Sequence, residues 1–225
     1  IMQKLPAIRQ TLLFSATMPD EIKRLSKQFL SNPKQVSVAP PATTSENVKQ
    51  HLVVLKNWKQ KENALETLIQ SRNVENAFIF CNRKKDIDDL VRFLKKKGHS
   101  VTGLHGDMAQ PVRTATLEKF KAEEVKLLVC SDVAARGIDV KNVSHVFNYD
   151  VPMHADDYVH RIGRTGRAGA SGETWMLATE KDDKFLDMIY KKIGNKIPVK
   201  TLESNPSKPQ QKKEKKRAVE SKPVK

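Results

Sequence analysis

Apolar and polar positions along this chain switch repeatedly between a period of two and a period near 3.6. Residues 50–55 read as a strand, and residues 59–71 as a helix. Residues 76–81 (NAFIFC) form an apolar and aromatic run of strand length. The helix predicted over 86–97 places Ile87, Leu90, Val91 and Leu94 on one face and ends at Gly98. Strands are predicted at 101–104, 126–130, 143–148 and 173–178, and helices at 110–121, 156–162 and 181–192. Strands alternating with helices of this length imply an α/β fold, a parallel sheet covered on both faces. Ligands of such sheets sit at the carboxyl ends of the strands, where the polar motifs of this chain are expected.

The flanks behave differently. Residues 10–15 (QTLLFS) read as a buried strand, residues 19–30 as a helix opened by Pro19, and residues 35–38 as a short strand. The APPATTSEN string over 39–47 has the composition of an extended linker. Beyond residue 200 apolar periodicity is lost, and the chain becomes rich in Lys, Pro and Gln, as disordered segments are.

Charge changes the picture next. The 225 residues carry 41 Lys and Arg against 26 Asp and Glu, a net charge of +15. Residues 208–225 hold eight basic and two acidic residues, so about +9 belongs to the rest of the chain. A surplus spread over the folded part points to an acidic partner, nucleic acid first. Cys81 and Cys130 end apolar strands, have no neighbour at metal spacing and read as reduced core residues of a cytosolic protein. His51, His105 and His160 lack ligand spacing, so no metal site is expected. No apolar run approaches the ~20 residues of a membrane span.

Five strings carry chemistry. HRIGRTGR over 160–167 sets three arginines among small residues, and an arginine fork matches phosphate oxygens in pairs. Arg164 and Arg167, three apart, are expected on one side of a helical turn. LVCSDVAARGIDV over 128–140 ends a strand in a polar turn, with Gly137 for close backbone approach and Asp139 as an acceptor for ribose hydroxyls. Its Ser131 and Asp132 read equally as helix caps. In LHGDMAQPVR over 104–113, the Gly106 backbone and the Arg113 side chain suit phosphate, although a tight turn before a helix explains much of the string. FIFCNRKK over 78–85 delivers Asn82, Arg83, Lys84 and Lys85 to the same edge, where Arg83 and Lys84 read equally as a solvated charge run. Ser15-Ala16-Thr17 follows the first predicted strand.

Together these strings resemble the DEAD-box RNA helicases of superfamily 2. That resemblance implies a RecA-like domain of the P-loop NTPase type, with ATP and Mg²⁺ as cofactors. It implies that Arg164 and Arg167 are arginine fingers, that Gly137 and Asp139 line the ATP site, and that His160, Arg161 and Ser15-Ala16-Thr17 couple two domains. It assigns RNA contacts to Lys85, Gly106, Asp107, Gln110, Arg113 and Ser131, the last standing where the family usually has Thr. No G-x-x-x-x-G-K-[ST] loop and no D-E-A-D string occurs, and the family keeps both in a first domain. The expected organisation is therefore a remnant of the first RecA-like domain over 1–39, a linker over 40–47, a C-terminal RecA-like domain over 48–195 and a disordered basic tail over 196–225. Residues 1–39 lack most of their sheet, so Leu13, Phe14 and Phe29 are expected to be partly exposed. The expected partners are RNA, ATP and the missing first domain, with no membrane and a cytoplasmic location. The whole protein is expected to be an ATP-dependent RNA helicase, and this piece inactive alone. The rivals are a non-enzymatic RNA-binding or chaperone module and a related superfamily 2 DNA helicase.

Overall fold

The computed structural model describes residues 4–15, 18–37, 47–138, 140, 143–167 and 169–202. In chain order these form α1 (Asp20–Phe29), β1 (Val48–Leu55), α2 (Lys61–Ser71), β2 (Ala77–Phe80), α3 (Lys84–Lys96), β3 (Val101–Leu104), α4 (Gln110–Lys121), β4 (Leu127–Cys130), α5 (Asp132–Ala135), β5 (His145–Asn148), α6 (Ala155–Ile162), β6 (Gly172–Thr179) and α7 (Asp183–Ile193). One-turn 3₁₀ segments, Trp58–Gln60 and Glu180–Asp182, lead into α2 and α7.

The six strands make one sheet in the order β1-β6-β5-β2-β4-β3, and every pairing is parallel. The three central strands β2, β4 and β5 are buried at all four positions, as a sheet covered on both faces demands. Alternate residues feed opposite layers. Ala77, Ile79, Val129, Phe147 and Trp175 pack under α2 and α3. Phe78, Phe80, Leu128, Cys130 and Val146 pack with Phe120 of α4 and with α5. Leu52, Met176 and Ala178 pack beneath α6 and α7. Cys81 and Cys130 are both free and buried, on opposite faces. Burial pushes both thiols up.

Both flanks depart from expectation. Residues 10–15 form no strand, and neither do residues 35–37; Val38 lies outside the described residues. A strand needs a ladder partner for its backbone groups, and among the described residues none stands beside these segments. Leu12, Leu13 and Phe14 are exposed, Phe29 is 37 % exposed, and α1 buries no residue. At the other end, packing runs beyond the expected limit of residue 195. Ile197 is 3 % exposed, Val199 bridges Leu52, and the Leu52 N–H and C=O bond to Pro198 and Lys200. The start of the expected tail is thus fastened to the free edge of β1. Residues 40–46 and 203–225 lie outside the described residues.

Candidate functional site

The carboxyl ends of β2, β4 and β5 are drawn together by one side chain. Arg161, 1 % exposed, donates from Nε and Nη2 to the two carboxylate oxygens of Asp132, at 2.7 and 2.8 Å. Its Nη1 donates to the Asp150 carbonyl at 2.7 Å and to Asn148 Oδ1 at 3.3 Å, and its Nη2 also to Asn82 Oδ1 at 2.8 Å. The guanidinium carbon lies 5.1 Å from the centre of the Phe80 ring. This bidentate fork is what makes arginine, and not lysine, fit here. Arg161 was expected to face another domain, but its fork is spent inside this one.

The network continues sideways. Asp150 Oδ2 accepts the Asn82 N–H, and Asp150 Oδ1 accepts from Lys61 Nζ at 2.9 Å. Lys61 is 6 % exposed, and its ammonium also lies 5.6 Å from the centre of the Tyr149 ring. Sequence reading missed Lys61, Asn82, Asp132 and Asp150 as a unit. Asp132 and Asn82 stood inside the quoted strings, whereas nothing local marked Lys61.

Arg164 and Arg167 do not share a helical turn as their spacing implied. Gly163 ends α6, and residues 164–167 form an irregular turn. Arg164 Nη1 donates to the Ile138 carbonyl at 2.8 Å, while Arg167 is exposed and its Nε donates to the Gly163 carbonyl at 2.7 Å. Thr165 and Gly166 of this turn depart from the expected carboxyl-end location, whereas the Arg164 side chain lines the cleft beside Phe80 and Asp132. Thr165, 2 % exposed, donates its hydroxyl to the Val143 carbonyl, before the amino end of β5. Gly166 has φ +67°, and a Cβ there would stand 2.5 Å from Val48 Cγ2 at the start of β1. A Cβ on Gly172, the first residue of β6, would stand 2.1 Å from Thr165 Oγ1. The cause is geometric. α6 runs back along the sheet while its side chains lean toward its amino end. Arg161 thus reaches the carboxyl ends, and the turn that follows seats at the amino ends.

His160 and Arg164 line a small cleft with Phe80, Asp132, Arg136 and Asp157, the last two joined by a 3.0 Å ion pair. Gly137, φ +75°, follows Arg136. Ser131 is the N-cap residue of α5, but its side chain makes no capping bond. Gly106 and Asp107 are exposed in the loop after β3, and Asp107 is paired with Lys84 at the start of α3. This pairing holds the Asp107 carboxyl below its ordinary value. Gln110 and Arg113 stand in the first turn of α4, with Arg113 Nε buried and lacking a hydrogen-bond partner. Lys85 is exposed on α3, and Ser15 is exposed. Ala16, Thr17 and Asp139 lie outside the described residues. Among the described residues no His, Cys, Asp and Glu side chains gather as a metal-binding group, and no helix is long and apolar enough to cross a membrane.

Residues 60–169 match the family described as Helicase conserved C-terminal domain. The chain is 41 % identical over 197 residues to the DEAD-box ATP-dependent RNA helicase RhpA of Helicobacter pylori, covering 88 % of this chain and 40 % of that one. It thus spans about two fifths of the length of the curated relatives it matches. Among solved structures it resembles the E. coli DEAD-box protein SrmB, bound there to RraA, with 32 % identity and a TM-score of 0.64 over 68 % of this chain and 90 % of that one. It also resembles S. cerevisiae Dbp5 bound to RNA and ADP BeF3, with 32 % identity and a TM-score of 0.79 over 89 % of this chain and 53 % of that one. A parallel six-stranded sheet between helices, the arginine-rich turn after α6 and likeness along nearly all of the SrmB chain lead to one assignment: the chain belongs to the DEAD-box RNA helicase family and carries its C-terminal, RecA-like helicase domain.

Proposed function

We propose that this chain is the second half of an ATP-dependent RNA helicase, presenting Arg164 and Arg167 to ATP held by a first RecA-like domain. The observation that carries this reading is the mounting of the turn over 163–167. On one side the five-bonded Arg161 anchors it, and on the other the buried Thr165 hydroxyl and the close packing of Gly172 do. A turn fixed at both ends, bearing two guanidinium groups, suits stabilisation of charge that develops on a transferring phosphoryl group. Gly137 and Asp139 complete the nucleotide side in this reading, and His160 faces the closing domain. Mg²⁺ would supply charge neutralisation at the phosphates, held by carboxylates of the first domain.

RNA lies in this reading across the carboxyl-end loops, touched by Lys85, Gly106, Gln110, Arg113 and Ser131. Such contacts grip phosphates and sugars without reading sequence. Residues 1–39 form the end of the first domain, and residues 40–47 a linker. The exposed Leu12, Leu13 and Phe14 fit a segment whose sheet neighbours belong to the remainder of that domain.

The test is RNA-stimulated ATP turnover by this chain mixed with the first domain of its parent. The chain alone is expected to turn over no ATP. Arg164→Ala and Arg167→Ala are each expected to lower the mixture's turnover by ~10³-fold or more. Undiminished turnover in either variant refutes that finger. Salt-sensitive RNA binding without any turnover, given a competent first domain, favours the binding-module reading.

A further inference from the structure

Lys84 and Asp107 form an ion pair between the start of α3, just beyond β2, and the loop after β3. These strands are not neighbours, because β4 lies between them. The pair therefore spans the carboxyl end of β4, where Ser131 stands. The lysine stem also crosses the glycine of the same loop, its Cε 4.0 Å from where a Cβ on Gly106 would stand. Both partners are open to water, with side-chain exposures of 55 % and 66 %. A pair so exposed contributes little to stability and exchanges easily. His105 of the same loop also stands beside α3, its Nε2 3.5 Å from Asp88 Oδ1. Asp107 itself is a poor phosphate partner, since two anions repel.

We propose that Lys84 is a ligand for the RNA phosphodiester backbone that Asp107 holds in reserve. An arriving phosphate takes over the ammonium, uncovers the Gly106 backbone and leaves Asp107 to water. Arg113, whose buried Nε lacks a partner, stands in the helix that the same loop enters and joins the anion site. Asp107 then acts as a charge threshold that weak or isolated anions do not overcome, and not as an RNA contact. The proposal rests on the reading that this edge faces RNA.

The experiment is fluorescence anisotropy of a labelled oligouridylate with the 225-residue chain between 50 and 200 mM KCl. Lys84→Ala is expected to weaken binding ~3–10-fold and to flatten the slope of log K against log salt by ~0.7, the share of one phosphate contact on a single strand. Lys84→Arg keeps both affinity and slope. Asp107→Asn is expected to tighten binding ~3–10-fold, because it frees the ammonium and removes an opposing charge. A merely structural pair moves both variants in one direction, so weakening by Asp107→Asn overturns the proposal. An unchanged affinity and slope in Lys84→Ala overturns it too. Arg113→Ala separates the two levels. If it weakens binding while Lys84→Ala does not, the RNA reading stands and the reserve-ligand proposal falls. If the unmodified chain binds no RNA, both fall.

Discussion

Replacing Arg161 with Met keeps length and apolar bulk but deletes every donor of the knot. It leaves the Asp132 carboxylate, Asn82 Oδ1 and the Asp150 carbonyl without their partner. Breaking a buried charge pair by removing one member costs ~3–5 kcal/mol. The lower part of that range applies, because Asp132 is 23 % exposed and water can recover part of its solvation. With an m-value of ~2 kcal/mol/M in urea, a loss of ~3–4 kcal/mol lowers Cm by ~1.5–2 M. Circular dichroism across a urea titration reads this directly. Arg161→Lys retains the charge but not the fork, and is expected to fall between the two. A double-mutant cycle with Asp132→Ala isolates the pair, with an expected coupling of ~1.5–3 kcal/mol. A Cm within ~0.3 M of the parent, or additive effects in the cycle, would refute the view that this guanidinium binds the strand ends together.

Two further consequences concern the amino ends of the sheet. Gly172→Ala places a Cβ 2.1 Å from Thr165 Oγ1 and 2.8 Å from the Gly166 nitrogen, so the turn and β6 must part. The expected cost is ~1–3 kcal/mol, read as a lower Tm, and an unchanged Tm would disprove the close seating. His145 and His51 have pKa values lowered chiefly by burial, so the fold favours their neutral forms. The unfolded chain takes up protons first as pH falls below ~6.5, and stability is lost from there down through the lowered native values. Melting curves from pH 7.5 to 5.5 should show this decline, and His145→Gln should flatten it.

What the periodicity of the chain made legible is what depends on neighbours in sequence. β3 and α4 stand where alternation placed them, over Val101–Leu104 and Gln110–Lys121, because Gly and polar turns bound both. The β2 strand is shorter than its apolar run, since Cys81 is already passing into the loop that Asp150 and Arg161 organise. The QTLLFS segment has the composition of a strand but no partner among the described residues, and composition alone supplies no ladder. The spacing of Arg164 and Arg167 suggests a helix, although Gly163 before them and Gly166 between them favour a turn. The Lys61–Asp150 pair joins residues 89 apart, and no local pattern announces a contact that only the sheet order creates.

The position of α6 explains why one short string serves two ends of the domain. The helix has eight residues, about 12 Å at 1.5 Å per residue, close to the length of the four-residue β5 that precedes it. Its last turn therefore has the reach to act both ways. The Arg161 side chain leans back to Asp132 and Asn82, beside the loops proposed for RNA. The backbone moves on to Thr165 and Gly166, which seat against residues 143 and 48. Movement of Asp132 would pull on Arg161, and hence on the turn that carries Arg164 and Arg167. On this view the coupling between RNA contact and the arginine turn needs no long chain of residues. It needs one guanidinium, and the coupling should weaken in Arg161→Lys even at temperatures where that variant stays folded. RNA stimulation of ATP turnover that is equal in Arg161→Lys and the parent would show that the two ends communicate by another route.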